Sequence, residues 1–342
     1  MSIGPFTSYA QGIPLTSLKE ALKNPSEVEA LDLSKQELAS FPDSIIVLTN
    51  LKFLNLSRNE LVNIPESIGN LTQLEYLVLN SNQLQQLPES IGRLQNLKEL
   101  KLHWNDLKAL PTSITDLNNL TKLTLSNNNL TALPLSIGKL QFLEFLSLHH
   151  NTLKKLPDDL CNLQRLRSLD LRNNGLELLP DSLGRLTELR MLRLTNNHLK
   201  TLPESIGSLT KVHTMPLDEN KLTSLPSSIG KLKELESLRL YKNELQSLPA
   251  SVGMLTSLQK FYVGSNKLTK IPESISNLTN LEQLDISNNQ IKTMPEGLKK
   301  LEKLTYLSIR NNPLKSVPDY HHLEYFYYGG HDLEIDVDQW SS

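Results

Sequence analysis

The chain has 342 residues, a formal charge of -2 and a pI near 6.5, with a single cysteine. This charge argues against nucleic-acid binding through overall charge, and one cysteine excludes an intramolecular disulfide. We see neither a signal peptide nor an apolar segment long enough to span a membrane. We therefore expect a cytoplasmic protein, with non-classical secretion left open.

Residues 1–27 are predicted to form an N-terminal helical cap. In the stretch TSLKEALKNP, Ser17 and Glu20 have the spacing of a capping box, and an apolar stripe follows. Pro25 favours the end of this helix. We expect the cap to cover the first coil of the repeats that follow, because a repeat array leaves an apolar face open at each end.

Residues 28–318 repeat the pattern L-x-x-L-x-L-x-x-N-x-L-x-x-L-P every 23 residues without an insertion. Thirteen copies in register predict an α/β solenoid, a right-handed curved coil with parallel β-strands on its concave face and short 3₁₀ or α-helical segments on its convex face. We number the positions of each repeat from 1 to 23. Position 1 falls on Val28, Leu51, Leu74, Leu97, Leu120, Leu143, Leu166, Leu189, Val212, Leu235, Leu258, Leu281 and Leu304.

Each repeat begins with a short predicted strand. Leu74, Leu77 and Leu79 illustrate positions 1, 4 and 6, which point inward, while the residues between them face outward. Asn82 illustrates position 9, where a buried amide can pair with the backbone groups of a turning chain. Stacked repeats therefore predict an asparagine ladder, from which only the first repeat departs, with Gln36.

The second half of each repeat, such as LPESIGRLQN, is predicted to return as a short helix with proline in its first turn. Position 19 is usually glycine, but Thr115 and Cys161 also occupy it, so a left-handed backbone is not required there. Cys161 is interpreted as a small convex-side substitute for glycine. A catalytic role is not expected, because no histidine or acid is predicted beside it.

Pro216 occupies position 5 of the ninth repeat, inside a predicted strand. Proline has no backbone N–H to give to a sheet. In a parallel strand, both backbone groups of one residue address the same neighbour. We therefore predict weakened pairing toward one adjacent coil only, without loss of register. Asp218 and Glu219 are expected either to pair with Arg193 and Arg239 or to bind a partner.

Residues 319–342 are predicted to form a C-terminal cap, because the repeat fails after Pro318. A strand with one acidic face is predicted over 333–337, and the aromatic run at 325–328 and Trp340 are expected to cover the last coil. A metal or peptide site built from three histidines and the acids of this segment is a weaker alternative to capping. These histidines are His321, His322 and His331.

The motifs LPESIGNLTQLEYLVLNSNQLQQLP and LPDSLGRLTELRMLRLTNNHLKTLP resemble the 23-residue class of leucine-rich repeats. That class occurs in Ras-suppressor-like and Scribble-like scaffolds and in plant and bacterial intracellular repeat proteins. The leader SLKEALKNPSEVEALDLSKQEL resembles bacterial proteins of the spirochaete and Bacteroidetes kind. The resemblance implies a curved solenoid that binds other proteins on its concave face, and it leaves the partner unidentified.

Partner contacts are expected at positions 3, 5, 7 and 8, where the repeats differ. Aromatic, methionine and arginine side chains are enriched at interface centres. The predicted contacts are Phe53, Tyr76, Val78, Lys101, His103, Trp104, Phe145, His149, His150, Arg172, Met191 and Arg193, with a second cluster of Arg239, Tyr241 and Tyr262. The competing interpretation is that large side chains only pack against neighbours on adjacent strands, as Phe53 and Tyr76 could.

An enzymatic function is not expected. Ser147, His149 and Asp170 loosely resemble a hydrolase triad, but an open sheet offers neither an oxyanion hole nor a pocket that excludes water. His103 and His149 lie two coils apart, about 10 Å by strand spacing, which is too far for an obvious shared zinc site. We predict no catalytic residue, no cofactor and no metal.

Three functions follow from these observations. The leading hypothesis is a monomeric, non-enzymatic signalling scaffold that binds another protein on its concave face, with no nucleic-acid partner. The second is a recognition module for a peptide or glycan. The third, an enzyme or the targeting part of an effector, would need a catalytic domain, and no segment outside 28–318 is large enough to be one.

Overall fold

The computed structural model describes residues 14–316 and 323–328. The chain divides into two compact units, Met1–Leu192 and Arg193–Ser342. In both units, repeats supply a three-residue parallel strand and a short 3₁₀ helix, so the predicted solenoid of leucine-rich repeats is confirmed. The regular return segments are all 3₁₀, which suits a return of one or two turns.

In the first unit the strands follow chain order, and each of the first six pairs in register with the next. They are β1 (Ala30–Asp32), β2 (Phe53–Asn55), β3 (Tyr76–Val78), β4 (Glu99–Lys101), β5 (Lys122–Thr124), β6 (Phe145–Ser147), β7 (Ser168–Asp170) and β8 (Met191–Arg193), which reaches the first residue of the second unit. The helical segments are α1 (Leu18–Ala21) and the 3₁₀ helices Pro25–Glu27, Asp43–Val47, Glu66–Asn70, Glu89–Arg93, Thr112–Asp116, Ile137–Lys139, Asp158–Asn162 and Leu183–Arg185.

In the second unit the strands are β9 (Thr214–Pro216), β10 (Ser237–Arg239), β11 (Lys260–Tyr262), β12 (Gln283–Asp285), β13 (Tyr306–Ser308) and β14 (Tyr325–Tyr327). The 3₁₀ helices are Glu204–Ser208, Ser227–Lys231, Ala250–Met254, Glu273–Asn277 and Glu296–Lys300. β14 pairs in parallel with β13, so part of the predicted aromatic cover is itself a strand of the sheet. The strand predicted over 333–337, Trp340 and the histidines His321, His322 and His331 lie outside the described residues.

The core follows from the spacing of the apolar residues. Positions 1, 4 and 6 surround the strand, position 11 follows the turn, and positions 18 and 21 belong to the return segment. In the fourth repeat all six are completely buried, and they are Leu97, Leu100, Leu102, Leu107, Ile114 and Leu117. Each buried leucine contributes about 1.5–3 kcal/mol, and every repeat adds a similar layer.

The predicted asparagine ladder is confirmed, and Asn105 shows its geometry. Its side-chain amide donates to the carbonyl oxygens of Leu79 and Leu102, both at 3.0 Å. Its carbonyl oxygen accepts a hydrogen bond from the backbone N–H of Leu84, also at 3.0 Å. One buried side chain thus satisfies three backbone groups in two successive repeats. In the first repeat Gln36 instead donates to the carbonyl oxygen of Thr16 at 2.8 Å.

The N-terminal cap is anchored to the first repeat. The side chain of Ser17 accepts a hydrogen bond from the backbone N–H of Glu20, at 3.4 Å, as the capping-box spacing predicts. Leu15 accepts a hydrogen bond from the backbone of β1 at 2.8 Å and donates another to it at 3.2 Å. The helix ends at Ala21, and Pro25, which was expected to favour its end, begins the next 3₁₀ helix.

The prolines of the return segments lie one residue earlier than predicted. Pro65 has an extended backbone and precedes its 3₁₀ helix, so it is the N-cap rather than a residue of the first turn. Its carbonyl oxygen accepts the first hydrogen bond of the helix, from the N–H of Ile68 at 3.1 Å. Proline fits here because the N-cap contributes its carbonyl group and no N–H.

Glycine is favoured at position 19 because the backbone of the next repeat lies close to it. A methyl group added at Gly92 would lie 2.5 Å from the carbonyl oxygen of Ser113. Where Thr115 and Cys161 occupy this position, the 3₁₀ helix of the following repeat has three residues instead of five. Cys161 is buried, and burial raises the pKa of its thiol, as expected for a structural rather than a reactive cysteine.

Pro216 ends β9 without disturbing its pairing with β10. The two strands stay in register, with Pro216 opposite Arg239. The N–H of Leu217 donates to the carbonyl oxygen of Arg239 at 2.8 Å, so this pairing does not need the N–H that proline lacks. The carbonyl oxygen of Pro216 is also used, because it accepts from the N–H of Leu194 at 3.0 Å.

Candidate functional site

The exposed face of the sheet is formed by positions 3, 5, 7 and 8 of successive repeats. Because the strands pair in register, equal positions lie side by side, as Glu99, Lys122 and Phe145 do across β4, β5 and β6. Neighbouring strands are about 4.8 Å apart, so a side chain on this face can contact residues one or two repeats away. The site described below lies in the first unit, over repeats four to seven.

Two of the predicted contact residues are buried by their neighbours. Phe53 is 5% exposed and Val78 is 7% exposed. Phe53 lies opposite Tyr76 in the paired strands, and Val78 lies opposite Asn55. These positions favour the packing interpretation, because so little of either side chain is available to a partner. Tyr76 itself is half-buried.

A cluster of charges occupies the next two repeats. The carboxylate of Glu99, which is buried, lies 3.0 Å from the Nζ atom of Lys122 and 3.4 Å from that of Lys101. The same Lys122 ammonium lies 5.5 Å from the ring centroid of Phe145. Glu99 and Lys122 were not among the predicted contacts. Their signal is visible in the sequence as opposite charges at position 3 of consecutive repeats.

His103 lies on the same face, one repeat from Lys122 and two repeats from His149. Its Nδ1 atom is 3.2 Å from the hydroxyl oxygen of Thr124. Burial lowers the pKa of His103 most, and the positive charges of Lys101 and Lys122, together with that of His149 when it is protonated, lower it further. The imidazole is therefore kept neutral near pH 7 by surroundings that are already positive.

His149 and His150 form a hydrogen-bonded pair. Their Nδ1 atoms are 2.8 Å apart, and the side-chain amide of Asn173 lies 3.1 Å from the Nε2 atom of His150. The geometry is satisfied when Asn173 donates to Nε2 of His150, and the Nδ1–H of His150 donates to His149. In the part of the chain that the structure describes, no group of three or more histidine, cysteine, aspartate or glutamate side chains could hold a metal ion.

Arg172 binds Asp170 through two nitrogens on one edge of its guanidinium group. The Nε–Oδ1 distance is 3.0 Å and the Nη2–Oδ2 distance is 2.8 Å. Burial raises the pKa of Asp170, but the hydrogen bonds and charge of Arg172 outweigh burial, so the pKa lies below its ordinary value. Asp170 is thus held in an ion pair with Arg172, and the charge of His149, one repeat earlier, also lowers its pKa. Arg172 keeps about a third of its side chain exposed.

Trp104 is the most exposed aromatic residue of the site, at 60%. Its φ is 59°, in the left-handed region, and position 8 has a similar φ in all thirteen repeats. Asparagine, which tolerates this backbone, fills the position in five of them. Beside the indole is an open depression of about 460 Å³. It is lined by Ser81, Asn82, Trp104, Asn105, Asp106 and Asn127.

The predicted contacts of the second unit lie on its own sheet face. Asp218 is buried and forms an ion pair with Arg239, with 2.8 Å between Oδ2 and Nε. Its Oδ1 atom accepts a hydrogen bond from the backbone N–H of Tyr241 at 2.9 Å. The hydroxyl of Tyr262 bonds to Gln283, and burial raises the pKa of Tyr262 to about 12. Arg239 is thus largely committed to the fold.

The remaining predicted contacts differ in exposure. Met191 and Arg193 are half-buried, as is Phe145. His150 is exposed and His149 half-buried. The predicted residues over repeats four to seven, which are exposed or half-buried, are Lys101, His103, Trp104, Phe145, His149, His150 and Arg172.

Comparison with known proteins agrees with this architecture. The model of a leucine-rich repeat region matches residues 64–172 and 177–266, and a second leucine-rich repeat model matches 26–84 and 256–314. The chain belongs to the leucine-rich repeat family. These matches confirm the resemblance on which the fold was predicted. No match was found among curated proteins.

Solved structures of other leucine-rich repeat proteins are similar over most of the chain. A leucine-rich repeat protein of Leptospira interrogans is 35% identical, with a TM-score of 0.81, over 93% of this chain and 88% of that one. An internalin of Listeria monocytogenes is 26% identical, with a TM-score of 0.78, over 91% and 89%. A plant peptide hormone receptor, RGFR1, solved in complex with RGF2, is 32% identical, with a TM-score of 0.72, over 86% and 53%.

These neighbours fit the bacterial type of leucine-rich repeat protein that the leader suggested. Among the residues that the structure describes, no helix has the length and apolar character needed to cross a membrane. Leucine-rich repeat proteins generally bind other proteins and generally lack enzymatic activity.

Proposed function

We propose that this leucine-rich repeat protein is a non-enzymatic scaffold that binds a partner protein on the exposed sheet face of its first unit. Trp104 carries the proposal. A bulky side chain in the left-handed region costs about 1–2 kcal/mol, and this one is largely exposed to solvent. The fold imposes this backbone in every repeat, and a largely exposed indole adds little packing in return, which points to a function for the side chain.

The surroundings of Trp104 suit an interface. Tryptophan and arginine are the residue types most enriched among binding hot spots, and Arg172 lies three repeats away on the same face. Seven strands of the first unit extend over about 30 Å, enough for one side of a standard interface. In the similar plant receptor the solved complex contains RGF2, which supports a recognition role for such a fold.

Site-specific photo-crosslinking tests the proposal. A photoreactive benzoylphenylalanine at Trp104 is compared with the same group at Leu135, which is 83% exposed in a return segment away from the sheet face. We expect adducts with one protein from native cells at position 104 and none with that protein at 135. Excess wild-type chain should suppress the adduct. Equal labelling at both positions would refute the assignment of this surface.

A glycan is the second candidate ligand, and the depression beside Trp104 is the observation that favours it. Asn127, Ser81 and Asp106 surround an exposed indole, which combines stacking with polar hydrogen bonding. Titration of soluble oligosaccharides, followed by tryptophan fluorescence, separates this function from protein binding. A saturable change that is lost in Trp104→Ala would favour the glycan.

We also propose that the chain acts as a monomer in the cytoplasm. The buried, unpaired Cys161 supports a reducing compartment. Light scattering after size exclusion would give the mass of one chain if this is right. Fractionation of native cells, with detection of the intact chain, tests the compartment.

A further inference from the structure

Repeats four to seven collect basic side chains on one face of a chain whose formal charge is -2. Lysine and arginine contribute three of these, and histidine contributes the others. We call this surface the basic patch, and it consists of Lys101, His103, Lys122, His149, His150 and Arg172.

The two acids of the same strands are hidden beneath this patch. Glu99 lies between the ammonium groups of Lys101 and Lys122 at 3.4 and 3.0 Å, and its side chain is 9% exposed. Asp170 is 5% exposed and bound at both oxygens by Arg172. Lys122 and Arg172 keep 37% and 36% of their side chains exposed. A molecule approaching these strands therefore meets cations, because Glu99 and Asp170 are covered; the exposed Asp106 lies outside the strands, beside the indole.

The surroundings of His103 show the same excess of positive charge. Each charged group near His103, namely Lys101, Lys122 and His149, opposes its protonation. Glu99 on the same strand is already paired, and the neighbouring hydroxyl of Thr124 is uncharged. The three permanent cations face two paired acids, so the patch keeps an excess of one positive charge before any histidine is protonated.

We infer that the partner bound on this face is a protein segment with clustered carboxylates, which contacts the basic patch beside Trp104. The inference rests on the proposed function and specifies its partner class. From Lys101 to Arg172 the patch crosses three strand spacings, about 14 Å, which four or five residues of an extended segment would span. Glutamate or aspartate side chains would pair with Lys122 and Arg172, and an apolar neighbour would contact the indole.

An acidic protein segment fits this surface better than nucleic acid does. Only three permanent cations are present, and two of them share Glu99. A phosphate backbone needs a continuous row of cations and binds most strongly to basic domains. Electrostatic complementarity between proteins gives specificity and fast association with fewer charges.

The test uses the full chain and a fluorescein-labelled peptide of about twelve residues, rich in glutamate around one leucine. A peptide with glutamine in place of glutamate and a thymidine oligonucleotide of equal charge are the comparison ligands. The patch variant is E99Q/K101Q/K122Q, which removes two positive charges and one negative charge and so leaves no buried acid unpaired. Lys154→Gln, exposed outside the sheet face, has the same net change and is the matched control.

Asn127→Asp is the second variant, because aspartate tolerates the left-handed backbone at this position between Trp104 and His150. Fluorescence polarisation should show binding of the glutamate peptide, at least fivefold weaker in both patch variants and nearly unchanged in Lys154→Gln. Binding should also weaken with salt. The glutamine peptide should bind at least tenfold more weakly.

Two outcomes would overturn the inference. One is no difference between wild type and both patch variants, or no binding of the glutamate peptide, while photo-crosslinking at Trp104 still captures a protein. The proposed function would then stand with a different class of partner. The other is oligonucleotide binding as tight as that of the glutamate peptide, which would show an unselective polyanion surface. Failure of the crosslinking itself would instead refute the proposed function.

Discussion

A structural role of Arg239 can be distinguished from a role in binding, because its ion pair with Asp218 is largely buried. The Asp218 side chain is 2% exposed and that of Arg239 is 17% exposed. Arg239→Met keeps most of the side-chain volume but removes the cation. The carboxylate would then retain only backbone hydrogen bonds, from Tyr241 at 2.9 Å and from its own N–H. Removing one partner of a buried ion pair costs about 3–5 kcal/mol, and we expect the free energy of unfolding to fall by about that amount near neutral pH.

This loss should depend on pH in a defined direction. Burial raises the pKa of Asp218, and the charge of Arg239 offsets only part of the rise. A raised pKa in the folded state means that ionisation disfavours folding as the pH rises through that value. Without the arginine the pKa rises further. The deficit of Arg239→Met should therefore be largest near neutral pH and should shrink in acid, where a protonated Asp218 needs no cation.

Urea unfolding followed by circular dichroism measures both effects, at about pH 7.5 and about pH 5. Lys242→Met is the control, because Lys242 pairs with Glu219, the residue next to Asp218, and both side chains of this pair are about half exposed. An exposed pair contributes about 0.2–1 kcal/mol. If Arg239→Met costs no more than Lys242→Met, or costs the same at both pH values, the reasoning is wrong. Arg239 would then be free to serve a partner. D218N/R239M should recover much of the lost stability.

Further predictions concern single positions of the first unit. Gly92→Ala should destabilise by about 1–3 kcal/mol in urea unfolding, because its methyl group would crowd the next repeat, whereas Gly175→Ala, with its nearest neighbour 3.6 Å away, should stabilise by about 0.4–1 kcal/mol. The free energy of unfolding of Trp104→Asn should be about 1 kcal/mol higher than that of Trp104→Ala, since only asparagine tolerates the left-handed backbone. Equal stability of the two variants would contradict this. Asn105→Ala should cost about 2–4 kcal/mol through its lost backbone partners. The lowered pKa of His103 means that the unfolded chain binds a proton first as the pH falls below neutral, so wild type should lose more stability than His103→Gln between about pH 7.5 and pH 5.5.

The period of the sequence predicted the repeated parts of the fold for a physical reason. Leu97, Leu100 and Leu102 cannot all be buried unless the chain turns once per repeat, and the identical spacing of thirteen repeats fixes the register of neighbouring strands. The asparagine ladder follows from the same regularity, since Asn105 must satisfy the backbone groups that the turn leaves unpaired.

The lengths of the 3₁₀ helices could not be predicted in this way. They depend on contacts between position 19 of one repeat and position 17 of the next, 21 residues later. Thr115 approaches Ser136, with their hydroxyl oxygens 3.1 Å apart, and the helix of that next repeat is short. Ser276 is accommodated differently. Position 17 of the next repeat is Gly297, which has no side chain to clash with Ser276, and the helix of that repeat keeps five residues. Such compensation appears only when the two repeats are packed together.

The candidate surface was predicted by residue type but not by exposure. Phe53 and Val78 have the composition of interface residues, yet both are buried against the next strand. Arg239 is also of a type that is common at interfaces, but its guanidinium group is bound to Asp218. Conversely, Lys122 was missed, and its contacts with Glu99 and Phe145 are visible only in the folded chain. Whether a side chain reaches solvent depends on the side chains at the same position of the adjacent repeats. The type of a single residue does not specify these contacts.

Position 8 is the place where the sequence alone carries the most information about binding. Its backbone is left-handed in every repeat, so folding favours asparagine there and gains little from a larger side chain. At positions 3 and 5 a large residue can be explained by packing across strands, as it is for Phe53. At position 8 this explanation fails for Trp104, which is 60% exposed. A bulky residue in the slot that favours asparagine therefore indicates a binding surface more strongly than an aromatic residue within a strand.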